Sequence, residues 1–210
     1  MKQIKIDSSF EGKVWISSDL HLLHRNIAGP ERSQWQDGYR DFKDEYVMTD
    51  YLINVINEQV AEEDILINLG DFCFKDHKRI PELRSRIVCK TIHHILGNHD
   101  HKVPMYGMHF NSISDMMELN YHGNMFILCH YSMRIWPGSH KGYLHCYGHS
   151  HDSIDKYPNQ PWGKSMDVGV DSAKRILGDY RPFEITEVID ILSKRDIAFV
   201  DHHTDQTNVH

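Results

Sequence analysis

Lys13-Val14-Trp15-Ile16-Ser17-Ser18-Asp19-Leu20-His21 is the stretch on which the fold turns. It begins as a β-branched, aromatic run of strand character and ends in an acid and a histidine two residues apart. The same plan recurs twice. Asp64-Ile65-Leu66-Ile67-Asn68-Leu69 leads into Gly70-Asp71, and Thr91-Ile92-His93-His94-Ile95-Leu96 leads into Gly97-Asn98-His99-Asp100. Between the first two runs, Tyr46, Val47, Tyr51, Leu52, Val55, Ile56 and Val60 recur at helical spacing behind Asp44, a residue suited to cap a helix. Pro81 to Ile87 predicts a shorter helix before the third run. The order β-α-β-α-β predicts parallel strands joined by right-handed crossovers.

Further out, Asn124 to Cys129 and Gly142 to Tyr147 read as strands with no clear helix between them, so the second half is richer in β structure. Ile185 to Leu192 predicts a closing helix, and Asp201 to His210 a solvated tail. No repeat or low-complexity linker divides the chain. The expected organisation is one domain over 1–195 and a polar, His-rich tail over 196–210. Four cysteines, Cys73, Cys89, Cys129 and Cys146, form no C-x-x-C pair and are expected to be reduced, buried thiols. With 23 Lys and Arg against 30 Asp and Glu, the net charge of −7 disfavours an extended nucleic-acid surface. The apolar run Met125 to Cys129 is far too short to span a bilayer, and Met1 to Lys5 leads into no apolar leader core. The expectation is a soluble, cytoplasmic protein with no membrane partner.

Seventeen histidines direct attention to metal chemistry. Asp19-x-His21, Gly70-Asp71, Gly97-Asn98-His99-Asp100, His130 and Gly148-His149-Ser150-His151 all stand at the carboxyl ends of expected strands, the edge of an α/β sheet where ligand sites form. On extended backbone, residues i and i+2 project from one face, so Asp19 with His21, and His149 with His151, are expected to converge. The glycines before Asp71, Asn98 and His149 allow tight turns. Two carboxylates (Asp19, Asp71), one amide oxygen (Asn98) and four imidazoles (His21, His130, His149, His151) exceed the needs of one tetrahedral ion. They suit two five- or six-coordinate ions that share a carboxylate. A mixed oxygen and nitrogen set without thiolate fits Mn, Fe, Co, Ni or Zn better than Mg or Ca.

In this order, the five motifs resemble the calcineurin-like metallophosphoesterase superfamily. Ser18 to Ile27, Leu69 to Phe72, His130-Tyr131-Ser132 with Trp136, Met166 to Asp171 and Tyr180 to Phe183 are similar, more narrowly, to its compact single-domain branch of bacteria and bacteriophages. The resemblance implies two packed mixed β-sheets flanked by helices, a four-layer α/β/β/α arrangement. It implies Asp19, His21, Asp71 and His151 on a first metal, and Asp71 as a bridge with Asn98, His130 and His149 on a second. His99 is the implied general acid, oriented through a hydrogen bond to Asp100.

The expected activity is hydrolysis of phosphoester bonds, foremost in small nucleotide phosphodiesters. A phosphomonoesterase or small nuclease of the same fold is the alternative, and a metal-binding adaptor without catalysis is the rival of another class. Phe72-Cys73-Phe74 follows Gly70-Asp71 where a phosphoprotein phosphatase would carry Asp-Arg-Gly, which argues against that branch. Lipid A precursor hydrolases carry Arg where this chain has His99, and the superfamily's DNA-repair exonucleases append regions for which the chain has no room. His24, Asn26, Arg134 and Trp136 are candidate substrate contacts, Arg134 as a fork onto phosphate and Trp136 as a stacking platform. Asp167 and Asp171 are expected to brace the turn at Gly148 to His151, while His93 and His94 are read as structural. His140 and His145 are left open. His202, His203 and His210 are expected to be solvated.

Overall fold

The described residues, 1–156 and 163–199 of a computed structural model, form ten strands and five α-helices. The strands are β1 (Lys2–Ile6), β2 (Val14–Ser17), β3 (Ile65–Asn68), β4 (Thr91–Ile95), β5 (Ser112–Ser114), β6 (Met116–Tyr121), β7 (Asn124–Cys129), β8 (Leu144–Tyr147), β9 (Ser165–Asp167) and β10 (Phe183–Glu184). The helices are α1 (Arg25–Ala28), α2 (Glu45–Gln59), α3 (Ile80–Ser85), α4 (Val170–Leu177) and α5 (Ile185–Ser193).

Two five-stranded mixed sheets result, in the orders β10-β2-β3-β4-β5 and β1-β6-β7-β8-β9, with helices flanking them. In the first, β2 to β5 run parallel, as the crossover argument requires, and β10 joins antiparallel. Parallel strands bury both faces, and their alternation assigns each residue a side. Trp15, Leu66 and Ile92 pack under the helices, whereas Val14, Ile16, Ile67 and Ile95 meet Met117, Leu119, Phe126 and Leu128 of the second sheet. Truncating a buried leucine such as Leu66 to alanine costs about 2–5 kcal/mol in such a core.

Asp44 caps α2 as expected, accepting from Tyr46 N and Val47 N at 2.9 and 2.8 Å, an interaction worth about 1 kcal/mol. The helix phase differs from the expectation. Met48, Leu52 and Ile56, four residues apart, are buried, and Tyr46, Val47 and Tyr51 face outward. Behind α5, Glu184 and Glu187 form a reciprocal capping box. The strands β1, β5, β6, β9 and β10 and the helices α1 and α4 were not expected. Around His145 of β8, the second sheet is covered by the 131–143 segment: the Trp136 ring lies 5.2 Å from the His145 ring, and Met133 N donates to His145 Nε2.

The expected tail also begins too early. Ile197 packs against Gly142 and Ala198 against Gly163, so the chain is still on the body there. Residues 200–210, with His202, His203 and His210, lie outside the described residues. Among the described residues, no helix is long and apolar enough to cross a membrane.

Candidate metal centre

Where β2 and β3 end, their loops stay zipped together. Asp19 N donates to Gly70 O, His21 N to Asp71 O, and Leu22 N to Phe72 O, at 3.0, 2.9 and 3.1 Å. The turn after β4 is tied on by Asp100, whose buried carboxylate accepts from Asp71 N, Phe72 N and Gly97 N and meets His94 Nε2 at 3.0 Å. Burial alone would raise that carboxyl group's pKa, but His94 and the N–H donors hold it below the ordinary value. Asp100 therefore knots two loops together and makes no bond to the His99 ring, which corrects its expected role. The turn aims the carboxylate inward, and adjacency in sequence concealed this. His94 is structural as expected, held between Asp100 and Asn68.

The strand-end side chains do converge, but not on extended backbone. Asp19, His21, Asp71, His149 and His151 all have positive φ, between 47° and 65°. Non-glycine residues adopt this left-handed conformation only when their surroundings enforce it, and such strain gathers at functional sites. Close approach also requires two glycines. A Cβ on Gly97 would lie 2.2 Å from Asp71 Oδ1, and one on Gly148 would lie 2.3 Å from Asp19 Oδ2.

Each ligand carboxylate has one oxygen committed to the scaffold and the other turned to the site. Asp71 Oδ1 accepts from His99 N at 2.8 Å, and Asp19 Oδ2 accepts from His149 N at 2.9 Å. Asp71 Oδ2 then faces His21 Nε2 at 3.5 Å, His130 Nε2 at 3.6 Å and His99 Nε2 at 4.0 Å. Asp19 Oδ1, fully buried and without a hydrogen-bond partner, faces His21 Nε2 at 3.8 Å and His151 Nε2 at 3.9 Å. Asn98 Oδ1 lies 3.0 Å from His130 Nε2 and 2.9 Å from His149 Nδ1.

The tautomers sharpen the picture. His130 Nδ1 faces the Leu69 carbonyl at 2.8 Å and must donate to it. His151 Nδ1 faces Asp171 Oδ2 at 2.7 Å and donates likewise. In the neutral rings both Nε2 atoms then offer lone pairs, and they offer them toward carboxylate oxygens. Lone pairs converging on acceptors need a cation between them. Two atoms each about 2.1 Å from one ion stand roughly 3 to 3.4 Å apart, so the carboxylate–imidazole pairs, 3.5 to 4.0 Å apart, would draw in by a few tenths of an ångström around one. Three sets, Asp19/His21/His151, His21/Asp71/His99 and Asp19/Asp71/His130, keep their ligand atoms within 4.8 Å of one another. These groups could hold metal ions.

Burial lifts Asp19 to about 6 and holds His21 well below the ordinary histidine value. Behind His151 stands a residue that sequence reasoning missed. Arg40, buried, donates from Nε and Nη2 to the two Asp171 oxygens, both at 2.8 Å, from Nη2 to Asp19 O and from Nη1 to Leu20 O. Burial would raise Asp171, but the Arg40 charge and the His151 bond carry it far below the usual carboxylate range. Asp171 thus orients the His151 ring directly. Asp167 serves the turn as expected, accepting from Ser150 Oγ and Asp152 N.

The candidate substrate contacts divide. His24 is near the site, stacked on Phe74 at 3.6 Å and 6.5 Å from the His99 ring, and burial lowers its pKa to about 3. Asn26 is half-buried on α1, and Arg134 is exposed. Trp136 is buried and donates to Tyr143 O at 2.8 Å, so it packs under the second sheet and presents no stacking face. Its expected role is corrected. The aromatic rings around the site are instead Trp35, edge-on to His24, and Tyr131, 4.9 Å from His149.

No protein-family model matches the chain, and no curated protein matches it in sequence. The fold is similar to the crystal structure of a protein of unknown function from Aquifex aeolicus, with a TM-score of 0.61 and 18% identity over 86% of this chain and 100% of that one. At that identity the likeness concerns the fold alone.

Proposed function

We propose that the chain is a metal-dependent phosphoesterase of the calcineurin-like kind, with a dinuclear centre and a preference for small nucleotide phosphodiesters. The observation that carries this reading is Asp71 Oδ2, a single carboxylate oxygen 3.5 Å from His21 Nε2 on one side and 3.6 Å from His130 Nε2 on the other. Asp19, His21 and His151 would hold one ion and Asn98, His130 and His149 the other, with Asp71 shared. Two such ions, of Mn, Fe, Co, Ni or Zn, supply Lewis acidity toward a phosphate oxygen and lower the pKa of water.

The chain itself supplies positioning and a proton. His99 is half-buried, and its main chain is fixed at both ends: its N–H donates to Asp71 Oδ1, and its carbonyl meets His77 Nε2 at 2.8 Å. The ring is left to present Nε2 beside Asp71 as a proton donor to the leaving oxygen, which makes a poor leaving group unless protonated.

Metal analysis paired with hydrolysis of bis-aryl and mono-aryl phosphates tests the reading. His99→Ala is expected to lower turnover by about 10²-fold or more with metal content unchanged. Normal turnover in that variant overturns the acid role, and loss of an ion makes His99 a ligand. Bound ions without turnover on either ester return the adaptor reading.

A further inference from the structure

A cleft of about 300 Å³ is lined by three lysines, Lys75, Lys78 and Lys102, with His77, Met105 and Tyr106. One carboxylate, Asp76, shares the lining. Among the described residues none of the three lysines has an ion pair, whereas Lys90 is held by Glu62 and Glu63. In a chain of net charge −7, three unpaired ammonium groups around one concavity mark a local reversal of sign.

The cleft is coupled to the proposed catalytic group through its walls. His77 is buried, with Nδ1 3.1 Å from Lys75 O and Nε2 2.8 Å from His99 O, so one side chain braces the cleft wall and the His99 backbone together. Phe74 is packed edge-on to the His99 ring at 4.9 Å, and Lys75 Nζ lies 5.0 Å from the Phe74 ring. Lys75 sits at φ 62°, a conformation that lysine seldom adopts and that here forms part of the cleft wall.

We propose that this cleft receives a second phosphate of the substrate. The substrate class is then a phosphoester that carries another phosphate near the scissile one, of the dinucleotide or nucleoside bisphosphate kind. Ammonium groups bind phosphate as flexible point charges, and a cleft of this sign draws an anion in against the overall charge. This assignment rests on the phosphoesterase reading.

Two chromogenic substrates that differ by one phosphate test it: thymidine 5′-(4-nitrophenyl phosphate) and its 3′-phosphorylated form. With the metal-loaded full chain, the 3′-phosphate is expected to lower KM about tenfold. Lys78→Ala combined with Lys102→Ala should erase that ratio, while Lys90→Ala should keep it. Equal KM values in the unaltered protein, or a ratio that survives the double substitution, overturn the proposal. Calorimetry with inorganic pyrophosphate on metal-stripped protein reads the cleft without turnover, and the double variant is expected to bind at least about fivefold more weakly. Lysine-dependent binding with no hydrolysis of either substrate rejects the phosphoesterase reading and retains an anion site. Hydrolysis with lysine-independent binding does the reverse. Pyrophosphate binding with equal KM values assigns the cleft to free phosphate and removes it from substrate recognition.

Discussion

The His151 ring and the Asp19 main chain stand on a buried charged support, whereas on the opposite side only His130 is braced, by a backbone carbonyl. On one side, the Arg40 guanidinium grips Asp171, Asp171 grips His151, and Arg40 also ties down the Asp19 and Leu20 carbonyls. On the other, His130 leans on the Leu69 carbonyl, while Asn98 and His149 are exposed. The contrast teaches how one site can pair a fixed pole with an adaptable one. A ligand whose partner is itself hydrogen-bonded loses little freedom on binding an ion, and such partners commonly govern affinity by 10–100-fold.

Removing what the halves share should have the largest effect. Asp71→Ala is expected to strip both ions and lower turnover at least about 10³-fold, measured by elemental analysis and aryl phosphate hydrolysis. Retention of both ions would sever the link between the halves. Next comes the charged support. Arg40→Met takes away the charged partner of Asp171 and leaves that half-buried carboxylate on His151 alone, at a cost of up to about 3–5 kcal/mol, a fall in Tm of up to roughly 10 °C. Asp171→Asn keeps the shape of the support but removes its negative charge, leaving Arg40 on the Asp19 and Leu20 carbonyls, so one ion should bind about 10–100-fold more weakly while the other is little changed. Competition with a graded chelator resolves the two, and equal weakening of both would erase the asymmetry.

Asn98→Ala should cost the opposite ion about tenfold, less than the Asp171 variant costs its own. The reverse ranking would make the exposed half the tighter one.

The mildest test is acid. His145 accepts from Met133 N and faces Ile127 O with Nδ1, and burial depresses its pKa to about 4. Below its unfolded value of about 6.5, the unfolded chain gains a proton that the folded chain refuses until about pH 4, so stability falls as pH drops through that window, by at most about 1.4 kcal/mol per unit. Asp171 is depressed instead, so its contribution persists above the unfolded carboxylate value and is lost only at much lower pH. Hydrogen exchange at 131–136 in metal-free protein should therefore rise between pH 6.5 and 4, before exchange around Leu20 and Arg40 does. Simultaneous loss would contradict the difference in support.

What could be read in advance follows the same division. The β-branched runs of β2, β3 and β4, each closing in a polar cluster, announced the first sheet, and Asp44 announced α2. The five clusters stood where strand-end chemistry belongs, and the structure brings their side chains together. Arg40 was invisible because its partner lies 131 residues away and it sits in irregular chain with no periodicity to betray burial. Asp100 misled because neighbours in sequence on a tight turn point apart, and Trp136 because an aromatic after a lone histidine does not declare which side of a sheet it covers. β6 alternates buried and half-buried side chains and closes in the His122-Gly123 hairpin turn, a signal present in the sequence but unused, and β10 is only two residues long.

The left-handed ligands also bear on how the protein is made. Asp19 must wait for His149 N, and Asp171, which holds His151, for Arg40, so the donor set is complete only when segments 130 and 131 residues apart have met. Contacts of such sequence separation close late in folding. A nascent chain emerging from the ribosome would therefore carry its histidines past free metal before any two could chelate in the native pattern, and ion capture would follow folding. If the proposed ions bind, each would pull the equilibrium toward the finished structure by mass action, and metal supply would bear on how long a newly made molecule survives.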